Sequence, residues 1–336
     1  MKRRPIALLV PLVLAITAAC GGGDKADRAQ AGRGPEAPTT TGVVSGTYPL
    51  TGMPATDPAK ARRGAVAVKI DNNAAARPQS GLERADVIYE EFTEGITRFV
   101  VVFHSSDAPF VGPVRSVRPA DPNIMKPFGG PLIFSGGSPA VLDVVRAAGV
   151  TQVTENDRAT LRRRSGRRAP HNLYSDTESM FRKAGGAAPP LLSPFLRPGE
   201  TAAPAGGTPA ASLRLAPAPR VTAAYEWDPG PGVWKRSTDG RPHTLEGGAQ
   251  ISPKNVIVQY TPYVGFAADR KVRFPEVVGS GDALIFLNGS QVKARWTKSS
   301  AGAMTTYADA AGKPIPLAPG QTWVHLQEPG SAATVG

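Results

Sequence analysis

The apolar positions of the 336-residue chain fall into short, differently patterned runs. Phe99-Val-Val-Val-Phe103 is unbroken, which predicts a central strand covered on both faces. Val66, Val68 and Ile70 alternate with Ala67 and Lys69, which predicts a half-buried strand ending at Asp71-Asn72-Asn73. Asp86 to Phe92 predicts another strand, and Glu94-Gly95 supplies the tight turn that makes a hairpin with Ile96 to Phe103. Leu132 to Phe134 reads as a short strand running into Ser135-Gly-Gly-Ser-Pro139. There Ser138 is a natural N-cap and Pro139 suits the first helical turn. Val141, Leu142, Val144, Val145 and Ala148 form one apolar stripe that Gly149 closes. A second helix is expected from Ser175, where Ser175-Asp-Thr-Glu178 has capping-box spacing, to about Gly185-Gly186.

Beyond residue 212 the pattern changes to short strands. Val221–Trp227, Asn255–Tyr260, Ala283–Phe286, Gln291–Trp296, Met304–Ala308 and Thr322–Leu326 are separated by turn pairs such as Asp239-Gly240 and Asn288-Gly289. Residues 185–212 are dominated by Pro, Ala and Gly and read as an interdomain linker. The fold expected is an α/β or α+β N-terminal domain over 48–184, with a mixed sheet and flanking helices. A smaller, mostly-β C-terminal domain follows over 213–330.

The first twenty residues add a compartment. Lys2-Arg3-Arg4 precedes the apolar run Ile6 to Ile16, which has signal-peptide proportions and is short for a membrane span. Thr17-Ala-Ala-Cys20 then places the chain's single cysteine before Gly21-Gly-Gly-Asp24. This is the form of a bacterial lipoprotein signal over 1–19, with Cys20 acylated by palmitate-type chains; an ordinary secretory cut after Ala19 is the alternative. Residues 20–47 would be a flexible tether, poor in bulky apolar residues. The protein is then extracytoplasmic and held at the bacterial cell membrane through lipidated Cys20. No second cysteine is left for a disulfide or a zinc cluster.

The formal charge is +12, and removing the three basic residues of the signal leaves 36 basic against 27 acidic residues. Such a balance favours anionic partners, and outside the membrane these are lipid headgroups, lipid-linked phosphates and wall polymers, not nucleic acid. Arg115 and Arg118, with Ser116 between them, are the leading anion-binding candidates, because paired guanidiniums grip phosphate or carboxylate. Gly136, Gly137 and Ser138 offer free N–H groups at a helix start. Asp71 and Glu91 lie near strand ends as candidate acid/base groups or ligands. His171 and Asn172 follow Pro170 and are candidates of the same kind. Between Arg158 and Arg168 six arginines form a loop attractive to anionic surfaces, though a solvated loop has the same composition. Nucleophile-elbow, zinc-helix, Walker and dinucleotide motifs are missing, and the four histidines have no ligand spacing. No metal and no cofactor is therefore assigned.

Several strips together resemble one family. They are Pro49-Leu-Thr-Gly-Met-Pro54, Ala67-Val-Lys-Ile-Asp-Asn72, Ala75-Ala-Arg-Pro-Gln-Ser-Gly-Leu82 and Ala85-Asp-Val-Ile-Tyr-Glu90, then Gly95-Ile-Thr-Arg-Phe99, Gly112-Pro-Val-Arg-Ser-Val-Arg-Pro119 and Pro170-His-Asn-Leu-Tyr174. With Tyr225-Glu-Trp-Asp228 and Gly320-Gln-Thr-Trp-Val324 they are similar to the YerB-like bacterial lipoproteins over about residues 48–330. That resemblance implies a lipoprotein with two domains and supplies no activity or catalytic residue. The strand, arginine segment and Gly-Gly turn are also loosely similar in arrangement to the LytR-CpsA-Psr phosphotransferases, whose acidic metal-binding motif is not evident here.

The expectation is a membrane-anchored envelope lipoprotein that binds an anionic envelope ligand, either a phosphate-containing lipid or a wall polymer, or a protein partner. The alternative is a phosphotransferase or hydrolase acting on lipid-linked or wall-polymer phosphates.

Overall fold

The computed structural model describes residues 46–202, 205–219 and 221–336, so the expected signal, Cys20 and nearly all of the tether lie outside the described residues. In chain order the first half gives α1 (Pro58–Arg62), β1 (Val66–Asp71), β2 (Val87–Thr93), β3 (Ile96–Phe103), α2 (Asp121–Met125), β4 (Leu132–Ile133), α3 (Pro139–Ala147), β5 (Gln152–Val153), β6 (Arg162–Arg163), β7 (Leu173–Tyr174) and α4 (Thr177–Phe181). The second half gives β8 (Thr208–Pro209), β9 (Ser212–Ala218), β10 (Val221–Asp228), β11 (Val233–Thr238), β12 (Arg241–Pro242), β13 (Asn255–Tyr260), β14 (Tyr263–Phe266), β15 (Asp269–Pro275), β16 (Gly279–Leu287), β17 (Ser290–Lys298), β18 (Thr306–Ala308), β19 (Thr322–Gln327) and β20 (Ala333–Val335).

One mixed sheet runs through both halves in the order β18-β17-β16-β13-β19-β2-β3-β1-β4-β5, with β8 added to β17. Its junction is the parallel pairing of β19 with β2, where Thr322 stands opposite Val87 and Leu326 opposite Glu91. A second sheet, β12-β11-β10-β9-β20, lies against one face of the first. Tyr225, Trp234 and Leu215 pack there on Val68, Phe99, Trp323 and Phe286. The opposite face is covered by α2, α3 and the strip around Leu317, which enclose Val100, Val102, Tyr89 and Leu132. The 185–212 segment is laid along the body: Leu192 is buried, Phe195 bridges to Leu317, and β8 joins the large sheet.

The expected hairpin forms, with Glu94 and Gly95 both at positive φ as a two-residue turn of the primed type requires. The strand over Val66–Asp71 is not half-buried, contrary to its alternation. All six residues are buried, because β3 and β4 flank it and both faces are covered. Lys69 tolerates this only by meeting the carboxylates of Glu91 and Asp121. The second helix begins one residue later than the capping box predicts and ends at Phe181. Asp176 is its N-cap, accepting from the Ser179 N–H at 2.7 Å. Ser175 is held outside the helix by paired backbone hydrogen bonds with Val111. The helix after Pro139 starts as predicted, but the Ser138 side chain makes no cap hydrogen bond.

Candidate functional site

Strands β1, β4 and β5 run parallel, so their carboxyl ends share one edge of the large sheet. Side chains outside the carboxyl ends of parallel strands are where open α/β sheets hold ligands. Here β1 ends on Asp71, β4 runs into Ser135-Gly-Gly-Ser138, and β5 is followed by Glu155, Asn156 and Arg158. The arginine segment lies along the same edge. The Arg115 N–H donates to the Lys69 carbonyl at 2.9 Å, the Ser135 N–H donates to the Arg115 carbonyl, and the Val117 N–H donates to the Gly136 carbonyl. Gly137 is closely packed, since a Cβ there would lie 3.0 Å from Val117 and 3.3 Å from Leu142.

Asp71 is fully buried and is approached from two sides. The His171 Nδ1 lies 2.8 Å from Asp71 Oδ2, and the Arg115 Nε lies 2.9 Å from the same oxygen, placed for an ion pair but not aligned as a hydrogen bond. A carboxylate only accepts, so the proton of this imidazole sits on Nδ1. Nε2 is left without a hydrogen-bond partner among the described residues, on a side chain that is 19% exposed. Asn172 beside it accepts from Arg163 at 2.6 Å.

Arg118 does not join Arg115 in one grip. Its Nη2 donates to Glu94 at 2.6 Å, its Nε to the Thr93 hydroxyl at 3.0 Å, and its backbone N–H to Asp121 at 2.7 Å. Buried Arg98 stands nearby; burial, together with the Arg118 and Arg115 charges, brings its guanidinium down to about 10. Ser116 and Ser135 bring their hydroxyls to 3.5 Å of each other.

Glu91 goes elsewhere. It is sealed with Lys69 and Asp121, and its Oε2 is buried without a partner. Burial raises its carboxyl to about 7, with Lys69 opposing and Asp121 reinforcing the shift. Two carboxylates for one ammonium leave an excess negative charge, which a bound proton relieves.

The arginine run is not a loop throughout. Arg162 and Arg163 form β6, paired with Tyr174 and Leu173 of β7. A groove of about 530 Å³ opens beside it, lined by Ser135, Glu155, Asn156, Arg158, Arg162 and Arg163 among others. Arg162 pairs with the half-buried Asp176 and Arg163 with the partly exposed Glu155, whereas no side-chain partner is seen for Arg158 among the described residues. Exposed ion pairs of this kind are worth only about 0–1 kcal/mol, so these guanidiniums remain available to a ligand. No cluster of three metal-ligating side chains occurs among the described residues, and no helix there is long and apolar enough to cross a membrane.

Sequence reasoning missed Lys69, Arg98 and Asp121, and a second charged cluster on the other face. Glu90 is fully buried there. It takes hydrogen bonds from Thr97 at 2.8 Å and Trp323 at 3.1 Å, and pairs with Arg236 at 3.0 Å. Arg236 also donates to Tyr225, whose hydroxyl meets His325 at 2.8 Å, and to His243 at 3.1 Å. Burial alone would raise the Glu90 carboxyl, but Arg236 and His325 hold it below the usual range. The available signal was a pair of glutamates inside an otherwise apolar strand.

A two-region mixed-sheet protein with a polar site at the carboxyl edge of three parallel strands is thus defined. The chain belongs to the family described as "Protein of unknown function (DUF3048)", its N-terminal domain matching residues 50–188 and its C-terminal domain residues 213–324. It is 29% identical over 296 residues to the Bacillus subtilis (strain 168) protein named "Putative lipoprotein YerB", covering 85% of this chain and 88% of that one. The crystal structure of YerB protein from Bacillus subtilis superposes with a TM-score of 0.75 at 25% identity, covering 86% of this chain and 99% of that one. The resemblance read from the sequence strips is therefore shown, as is the layout of an N-terminal domain with a mixed sheet and a mostly-β C-terminal domain.

Proposed function

We propose that this is an extracytoplasmic lipoprotein, anchored through Cys20, that binds a phosphate-bearing envelope ligand in the groove at the carboxyl ends of β4 and β5. The observation that carries the reading is the convergence of Arg158, Arg162 and Arg163 on Ser135 around one open groove, with Arg158 lacking a side-chain partner among the described residues. Charge-assisted, forked hydrogen bonds from such guanidiniums suit phosphate oxygens. The signal-like first twenty residues and the lipoprotein name of the relative support the location. Arg115, held at Asp71, flanks the groove through Ser135, whereas Arg118 serves the fold.

Titrating the full-length protein in detergent micelles with inorganic pyrophosphate tests this. Changing Arg158, Arg162 and Arg163 together to Ala is expected to weaken binding by at least about tenfold, because several charge-assisted contacts are lost at once. Unchanged affinity would overturn the reading.

One observation favours a second reading, phosphotransfer or hydrolysis on lipid-linked or wall-polymer phosphates. The Asp71–His171 contact orients an imidazole with a free Nε2, the arrangement of a general base. Phosphate release from such a substrate, lost in His171→Gln and in Asp71→Asn, would establish it; release that persists in both variants would remove these residues from the chemistry.

A further inference from the structure

A second groove, of about 190 Å³, lies next to the first and is lined by Phe110, Tyr174 and Arg164 together with the same Arg162 and Arg163. Phe110 is 57% exposed, one of two large hydrophobic side chains exposed among the described residues. At the wall of a groove, this ring beside guanidiniums offers an apolar face next to hydrogen-bond donors, a combination suited to a ligand that has both. The Arg164 guanidinium stands 5.6 Å from the Phe110 ring and 5.6 Å from the Tyr174 ring, and Arg167 stands 5.9 Å from Tyr174. The Tyr174 hydroxyl is buried and makes no hydrogen bond with good geometry.

We infer that the Phe110 groove is a sugar subsite and that the ligand is an anionic glycan, a chain in which sugar rings alternate with phosphates. This rests on the groove reading above and names the ligand class for it. A sugar ring has an apolar C–H face that packs on an aromatic ring and a rim of hydroxyls that accept from guanidinium forks. Arg162 and Arg163 line both grooves, so a chain with its sugar at Phe110 can set its neighbouring phosphate against those two guanidiniums. A membrane contact would want Phe110 at an apolar tip. Here it lines a concavity beside Arg164, whose guanidinium also donates to Glu246 at 2.6 Å.

The test uses the full-length protein in detergent micelles and two probes: a hexose-containing phosphate polymer and a sugar-free glycerol phosphate polymer of matched charge. The wild type should prefer the sugar-containing polymer by about tenfold, Phe110→Ala should remove that preference while sugar-free binding stays, and Phe110→Trp should keep it. No preference in the wild type, or a preference that survives Phe110→Ala, overturns the sugar subsite and leaves the groove reading intact. Failure of both polymers to bind overturns the groove reading along with the sugar subsite.

Discussion

Glu90 and Asp71 are both fully buried carboxylates set against an arginine and a histidine, yet their surroundings differ. Around Glu90 every partner is also sealed: Arg236 and His325 are inaccessible, and Thr97, Trp323 and Tyr225 complete the contacts. Around Asp71 the partners reach outward, with Arg115 22% exposed and His171 19% exposed. The first cluster ties β2 of one half to β11 and β19 of the other. The second ends at an open edge in a His171 Nε2 that has no hydrogen-bond partner among the described residues. Residue type did not separate them; access to a ligand does.

Breaking the sealed cluster should have the largest effect. Arg236→Ala leaves Glu90 buried without its main counter-ion, a loss expected to cost about 3–5 kcal/mol in urea unfolding. A cost under about 1 kcal/mol would show that the cluster is not a structural joint.

Acid should act on the buried histidines, two of which, His325 and His243, belong to this cluster. Burial holds His104 down to about 4, His325 down to about 3 and His243 well below its usual value. The unfolded chain binds these protons below about pH 6.5 and the folded chain does not, so stability falls as the pH drops from about 6.5 toward 4. Glu91, raised to about 7, and Asp86, raised by burial to about 6, take up protons first in the folded state and oppose that fall. Glu91→Gln removes one of the two opposing groups. Its midpoint in urea should therefore decline more steeply than the wild type's between pH 7 and 4.5; a parallel decline would place the Glu91 proton elsewhere.

At the open edge stability and binding should separate. The Arg158, Arg162 and Arg163 triple Ala variant should unfold within about 1 kcal/mol of the wild type while losing its ligand, since its ion pairs are exposed. A variant that loses both would make β6 a structural strip. The smallest effect is expected at Ser138, whose hydroxyl makes no cap hydrogen bond: Ser138→Ala should shift stability by less than about 0.5 kcal/mol.

Local patterns were legible in the sequence. The Glu94-Gly95 turn, the doubly covered Phe99–Phe103 strand and the helix after Pro139 depend on neighbours within a few residues, and each forms as its pattern predicts. The union of the two halves was not legible, because the pairing of Thr322–Leu326 with Val87–Glu91 leaves no local trace. Lys69 misled for the same reason: its alternation promised solvent, and carboxylates 22 and 52 residues away supplied a buried cage. Asp71, Arg115 and His171 were each singled out by residue type and position. Their convergence across 100 residues needed the fold, as did the parting of Arg118 from Arg115.

The central claim, that the carboxyl edge of β4 and β5 is a phosphate site, is tested most directly by a crystal structure of the protein grown with pyrophosphate. The account predicts the diphosphate bound between Ser135 and the guanidiniums of Arg158, Arg162 and Arg163. A diphosphate bound elsewhere, with this groove empty at saturating concentration, would contradict it.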